Sequence, residues 1–217
     1  MAEFIPTLAE IINLKIEKAQ ALAQEEDHYD ALIDEYEPNI SADEISAMFK
    51  NLRPTLVELR KEVLSKEEPR ALTGNFDEKI QLQLANEIAN AFGYDLNTGR
   101  IDQAVHPFSS GSGDDVRITT RTDLSDPFNC IYSTIHEVGH ATYEQNIQKH
   151  FIFSPLGRGV SLGVHESQSR IYENQLGRSR PFTAFLFHRM RDLFGDFGIY
   201  DPEMFYKCVN RVDTGFI

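Results

Sequence analysis

Asn129-Cys130-Ile131-Tyr132-Ser133-Thr134-Ile135-His136-Glu137-Val138-Gly139-His140-Ala141-Thr142-Tyr143-Glu144-Gln145 is the stretch on which the reading turns. Its apolar residues recur at helical steps and no proline interrupts it, so a helix is expected from about Asn129 to Lys149. Residues four apart share a helix face, and His136 and His140 can therefore offer both imidazoles to one metal ion. Glu137 follows the first histidine and can stand beside a metal-activated water without being a ligand. Gly139 costs about 1 kcal/mol relative to Ala inside a helix, which points to another backbone passing close by. The plain alternative is a core or surface helix that merely contains two histidines.

A catalytic zinc site keeps three protein ligands and one open position, so a third ligand is expected from another element. His165 and Glu166 lie 25 and 26 residues beyond His140, in His165-Glu166-Ser167-Gln168-Ser169-Arg170. Adjacent helical residues point about 100° apart, so only one of them should bind the ion. Spacing alone does not choose between the two. Glu144 and Glu173 are weaker candidates, as ligands or as partners of the ligand imidazoles.

Upstream of this helix the character changes. Residues 99–126 are rich in Gly, Ser, Thr and Asp. Within them Asp115-Val116-Arg117-Ile118-Thr119-Thr120-Arg121 alternates apolar with polar and reads as a strand. Val116 and Ile118 should face the core, with Arg117, Thr119 and Arg121 on the other side. Helices are expected over Thr7–Gln24, from a Ser41/Glu44 capping box through Val63, and over Asp77–Phe92. Pro54 should kink or break the second of these. Residues 65–74 read as a loop, and further helices over Ser161–Leu176, Pro181–Leu193 and Pro202–Asn210. The expected architecture is mainly α, with a small β element beside the active-site helix.

Composition narrows the classes. The chain has 217 residues, 41% of them hydrophobic, with 21 basic and 34 acidic side chains and a net charge of −13. That is the make-up of an ordinary folded domain, here taken as one unit over residues 1–217. Clustered Lys and Arg are lacking, which argues against nucleic acid as a partner. No run of about 18 apolar residues suggests a membrane span. Met1-Ala2-Glu3-Phe4-Ile5-Pro6 lacks the pattern of a secretory signal. Two cysteines, Cys130 and Cys208, make no disulfide framework, so a reducing cytoplasm is expected, with Cys130 buried as a small apolar residue.

The sequence resembles the carboxypeptidase Taq family of zinc metallocarboxypeptidases. Four signatures occur in order: His106-Pro107-Phe108, Asp115-Val116-Arg117-Ile118-Thr119, His136-Glu137-Val138-Gly139-His140 and His165-Glu166-Ser167-Gln168. Gly99-Arg100-Ile101-Asp102 and Ser161-Leu162-Gly163-Val164 match as well, and the similarity runs from about Tyr29 onward. The resemblance implies a mainly helical, zincin-like fold with a long cleft. It implies zinc, or cobalt, on His136, His140 and Glu166, with Glu137 as general base. It further implies peptide substrates with a free C-terminus, shortened one residue at a time, and a homodimer. A fifth family signature, Ile or Tyr followed by Arg-x-x-Ala, is missing. Gly215-Phe216-Ile217 stands where it would begin, and family members are roughly twice this length. The chain is thus expected to be an incomplete catalytic domain, a central portion of such an enzyme.

An exopeptidase needs positive charge for the terminal carboxylate. Arg117 is the candidate, since Arg binds carboxylates bidentately; a structural pair with Asp114 or Asp115 is its plain alternative. His106, held extended before Pro107, is placed near the active site by the resemblance, where it could donate a hydrogen bond to the reacting substrate or simply anchor the loop. His165 is a cleft or supporting residue, or a helix cap, whereas His28, His150 and His188 read as surface or packing histidines. Two alternatives stand beside the carboxypeptidase: a zinc endo-oligopeptidase, and a non-catalytic module that folds without a complete substrate site.

Overall fold

A computed structural model describes residues 3–23 and 27–214, and these contain eight α-helices and one small sheet. Two compact units divide the chain, one of residues 1–63 with 160–162 and one of residues 64–159 with 163–217.

The first unit holds α1 (Ile5–Ala23), α2 (His28–Ile33) and α3 (Ala42–Leu64). Gln24, the expected end of α1, lies outside the described residues. The capping box is formed: the Ser41 N–H donates to Glu44 Oε2 at 2.9 Å, and the Glu44 N–H to Ser41 Oγ at 3.3 Å. Helix α3 runs on through Pro54 instead of ending there. None of its residues is buried, so solvent can satisfy the backbone groups that the proline ring leaves without partners. The large apolar residues that give α1 and α3 their periodicity, among them Leu8, Ile11, Ile12, Phe49, Leu52 and Leu56, are exposed. Helix α2 has no sequence counterpart; the Asp27 side chain caps it by accepting from the Tyr29 N–H at 2.7 Å.

The second unit contains α4 (Glu78–Ala91), β1 (Ile101–Gln103), β2 (Ser109–Ser112), β3 (Asp115–Thr120), α5 (Pro127–Gln145) and, from Gly163 onward, α6 (Leu162–Arg170). It ends in α7 (Arg180–Phe194) and α8 (Pro202–Val209). The sheet order is β1-β3-β2, with β1 parallel to β3 (Ile101 opposite Ile118) and β2 antiparallel to it (Ser109 opposite Ile118). Val116 and Ile118 are buried as expected and Arg117 is exposed, but Thr119 is buried too. Residues 106–108 cover that side: the Thr119 N–H donates to the Phe108 carbonyl and the Phe108 N–H to Thr119 Oγ1, at 2.8 and 2.9 Å.

Helix α5 is shared by two apolar clusters. Ile131 and Ile135 pack with Leu84 and Ile88 of α4, Leu186 and Met190 of α7 and Phe205 of α8. Val138 and Ala141 pack with Val116 and Ile118 of β3, and with Tyr94. Eleven of the helix's 19 residues are buried, which fixes its rotation and leaves little freedom to the rest. It starts two residues earlier than expected, because Asp126 caps it and Pro127 suits a first-turn position that needs no N–H. It also stops before Lys149. The Asn146 side chain takes the Thr142 carbonyl at 2.7 Å and closes the last turn, and Lys149 opens a separate 3-10 turn.

Candidate metal centre

Packing one side of α5 into the core leaves His136 and His140 partly accessible, with side chains 18% and 20% exposed. Both Nε2 atoms approach the same carboxylate oxygen. Glu166 Oε2 lies 3.6 Å from His136 Nε2 and 3.2 Å from His140 Nε2. One ligand atom from each of the three residues falls within 4.8 Å of the others. Of the two residues that spacing left open, Glu166 is the one that converges with the histidines, while His165 stands behind His140.

The other ring nitrogens are engaged behind the site. His136 Nδ1 is 2.9 Å from Glu173 Oε2. His140 Nδ1 is 2.7 Å from His165 Nδ1, and His165 Nε2 is 2.8 Å from Glu144 Oε1. Glu144 and Glu173, the weaker ligand candidates, thus stand behind the imidazoles and not among the converging donors. Two imidazoles that spend Nδ1 on protein partners and aim Nε2 at a shared carboxylate have the arrangement of metal-binding histidines. The donor chemistry, two nitrogens and one oxygen, fits a divalent cation such as zinc. Burial, together with His136 and His165, pushes His140 down to about 4, which favours the neutral imidazole that a metal needs. His136 is raised instead, through its hydrogen bond with Glu173.

Gly139 brings the two helices together. A Cβ at Gly139 would lie 2.5 Å from the Ser169 Cα, so only glycine admits this approach of α6. Gln168 locks it, its Nε2 donating to the Gly139 carbonyl and to Thr142 Oγ1, both at 2.9 Å. After Arg170 the helix widens into a π-turn over Ile171–Leu176, a feature frequent at functional sites, and this turn carries Glu173. Arg170 donates from Nε to Glu166 Oε1 at 2.9 Å and from Nη1 to Glu173 Oε2 at 3.1 Å, tying a ligand to a supporting carboxylate.

A cleft of about 530 Å³ opens beside the trio, lined among others by His106, Arg121, Tyr132, His136, Glu137 and Arg178. Glu137 is 7% exposed, and burial pushes its carboxyl up to about 7, with His136 opposing and Glu166 and Glu173 adding to the rise. His106 stands in the cleft wall. Arg117 does not line it: its guanidinium grips Asp115 bidentately at 2.7 and 2.9 Å on the exposed side of β3. The cations that line the cleft are Arg121 and Arg178, neither singled out from the sequence as a site residue. Arg121 carried a signal, the outward alternation of the strand pattern; Arg178 carried none.

Two histidines one turn apart on a buried helix, a glutamate from a second helix and an acid beside them define a metallopeptidase-type centre. The chain belongs to the carboxypeptidase Taq (M32) metallopeptidase family, whose model matches residues 1–217. It is 40% identical over 228 residues to thermostable carboxypeptidase 1 of Thermus thermophilus, covering 99% of this chain and 44% of the relative. The carboxypeptidase of the same name from Pyrococcus furiosus is 37% identical over 222 residues, with 100% and 44% covered. Among solved structures, an M32 carboxypeptidase from Deinococcus radiodurans superposes with a TM-score of 0.86 at 39% identity, over 97% of this chain and 43% of that one. Metallocarboxypeptidase 1 of Trypanosoma cruzi gives 0.87 at 37%, over 99% and 44%. The chain spans less than half the length of these relatives.

Proposed function

We propose that this chain carries the catalytic centre of a zinc-dependent metallocarboxypeptidase that removes single residues from peptides with a free C-terminus. The observation that carries the reading is the convergence of His136 Nε2, His140 Nε2 and Glu166 Oε2 beside a cleft walled by Glu137. His136, His140 and Glu166 would hold zinc, or cobalt in its place, which would supply Lewis acidity toward a substrate carbonyl and a water. Glu137 takes the proton of the attacking water and returns it to the leaving amine. His106 contacts the substrate from the cleft wall. A terminal carboxylate in the cleft meets Arg121 and Arg178 more readily than Arg117, which is spent on Asp115. A homodimer in a reducing compartment belongs to the same reading; Cys130 and Cys208, both free and buried, suit that compartment.

The test compares one peptide with a free C-terminus and the same peptide amidated. Release of the last residue from the free form alone supports the reading. Equal cleavage of both forms identifies an endo-oligopeptidase, and inertness of the folded, zinc-loaded chain toward every peptide identifies a non-catalytic module.

A further inference from the structure

We propose that His165 is a positioning residue that, with Glu144, fixes the tautomer and the ring orientation of the ligand His140. The inference rests on the metal centre proposed above and concerns residues that touch neither the trio's centre nor the cleft.

Coordination through Nε2 requires that atom of His140 to be bare, so the ring proton sits on Nδ1. Nδ1 lies 2.7 Å from His165 Nδ1, and two N–H groups cannot face each other at that distance. His165 Nδ1 therefore accepts. With Nδ1 bare, the ring proton of His165 lies on Nε2, 2.8 Å from Glu144 Oε1, which accepts it. Each proton has one place, and the chain runs in one direction from His140 through His165 to Glu144.

Three further features hold the middle member. The Tyr143 ring lies against His165, centroids 4.3 Å apart and planes at 33°. Gly159 closes over it so tightly that a Cβ there would meet His165 Cδ2 at 2.9 Å. The His165 and Glu144 side chains are only 19% and 18% exposed, so little water competes for their bonds. The same two helices that supply the trio supply this support. Glu144 lies one turn beyond His140 on α5, and His165 lies one residue before Glu166 on α6. A roughly 100° step along α6 turns Glu166 toward the donors and His165 behind them. His136 is backed by a carboxylate directly, so the two ligand imidazoles are supported by different chemistry.

Zinc affinity, measured by competition with a chelating indicator on the 217-residue chain, tests the proposal with four proteins: wild type, His165→Leu, His165→Asn and Glu166→Ala. His165→Leu removes the acceptor and should weaken zinc binding 10–100-fold, whereas His165→Asn keeps an acceptor near the Nδ1 position and should stay within about threefold of wild type. In parallel, ¹⁵N spectra of histidine-labelled, zinc-loaded wild type should show His165 protonated on Nε2 and bare on Nδ1. Unchanged affinity in His165→Leu, or a proton on His165 Nδ1, overturns the proposal. If His165→Leu does not fold by circular dichroism, the asparagine variant and the wild-type tautomer decide. Equally weak binding by wild type and Glu166→Ala is the separate failure of the metal-centre reading, and the relay falls with it.

Discussion

The Ser169 backbone fills the space that a side chain at Gly139 would occupy, its Cα 2.5 Å from where that Cβ would stand. This contact sets the depth at which α6 lies on α5, and with it the reach of Glu166 toward His136 and His140. Gly139→Ala should raise helix propensity yet lower stability, by about 1–3 kcal/mol, because a buried backbone must move. Urea unfolding measures the loss, and zinc affinity should fall with it. A variant as stable and as tight as wild type would show that the approach of α6 is set elsewhere.

Glu173 should matter to the metal although it is no ligand. It accepts from His136 Nδ1 at 2.9 Å and is itself held by Arg170. Glu173→Ala should weaken zinc binding about 10–100-fold, leaving fold and far-UV circular dichroism intact. Chelator competition checks it.

Gln81 joins α4 to the segment ahead of α5. It is fully buried, with Nε2 donating to the Phe76 carbonyl at 2.7 Å and the Asp123 carbonyl at 2.8 Å. Gln81→Leu keeps bulk but leaves two carbonyls without their donor, and should cost roughly 2–3 kcal/mol. Thermal denaturation monitored at the helix band measures this, and an unchanged midpoint would mean that water replaces the amide.

Tyr94 gives the chain an alkaline limit. Burial pushes its phenol up to about 12, and its hydroxyl donates to the Val116 carbonyl of β3 at 2.6 Å. In the unfolded chain the phenol ionises near its ordinary value of about 10. The folded-state value is the higher one, so the folded state binds more protons in this range and stability falls as pH rises. The stability contribution is complete below about pH 10 and is lost as pH climbs toward 12. Denaturant midpoints recorded from pH 9 to 12 should fall more steeply in wild type than in Tyr94→Phe; parallel curves would contradict the assignment.

Much of this was legible in the sequence where local chemistry decides. The spacing of His136 and His140, the alternation of residues 115–118 and the Ser41/Glu44 box each depend on a few neighbours, and each forms as read. Strand β2, Ser109-Ser110-Gly111-Ser112, contains no strand-forming side chain; it exists because β3 offers it hydrogen bonds. The six residues of α2 are too short for a period to be read. The choice of Glu166 over His165 needed the rotation of α6 against α5, which depends on Ser169 meeting Gly139 across 30 residues of chain. Arg178 enters the cleft through tertiary packing, its guanidinium 4.1 Å from the centre of the Tyr132 ring, and nothing near it in sequence announces that.

In the proposed reading, Glu137 serves the chemistry and not the holding of the metal. It lines the cleft next to His136 without belonging to the converging trio. Glu137→Gln should leave zinc affinity at the wild-type level and lower peptide hydrolysis about 10²–10⁴-fold, as expected for loss of a general base. Hydrolysis at the wild-type rate in that variant would rule out the proton-transfer role.

The central claim is that His136, His140 and Glu166 form one metal site, and elemental analysis of the purified chain tests it most directly. One zinc per chain in the wild type, lost in Glu166→Ala while both proteins remain folded, is the predicted result. A folded wild type that takes up no metal when zinc is supplied, or a Glu166→Ala variant that retains it in full, would contradict it.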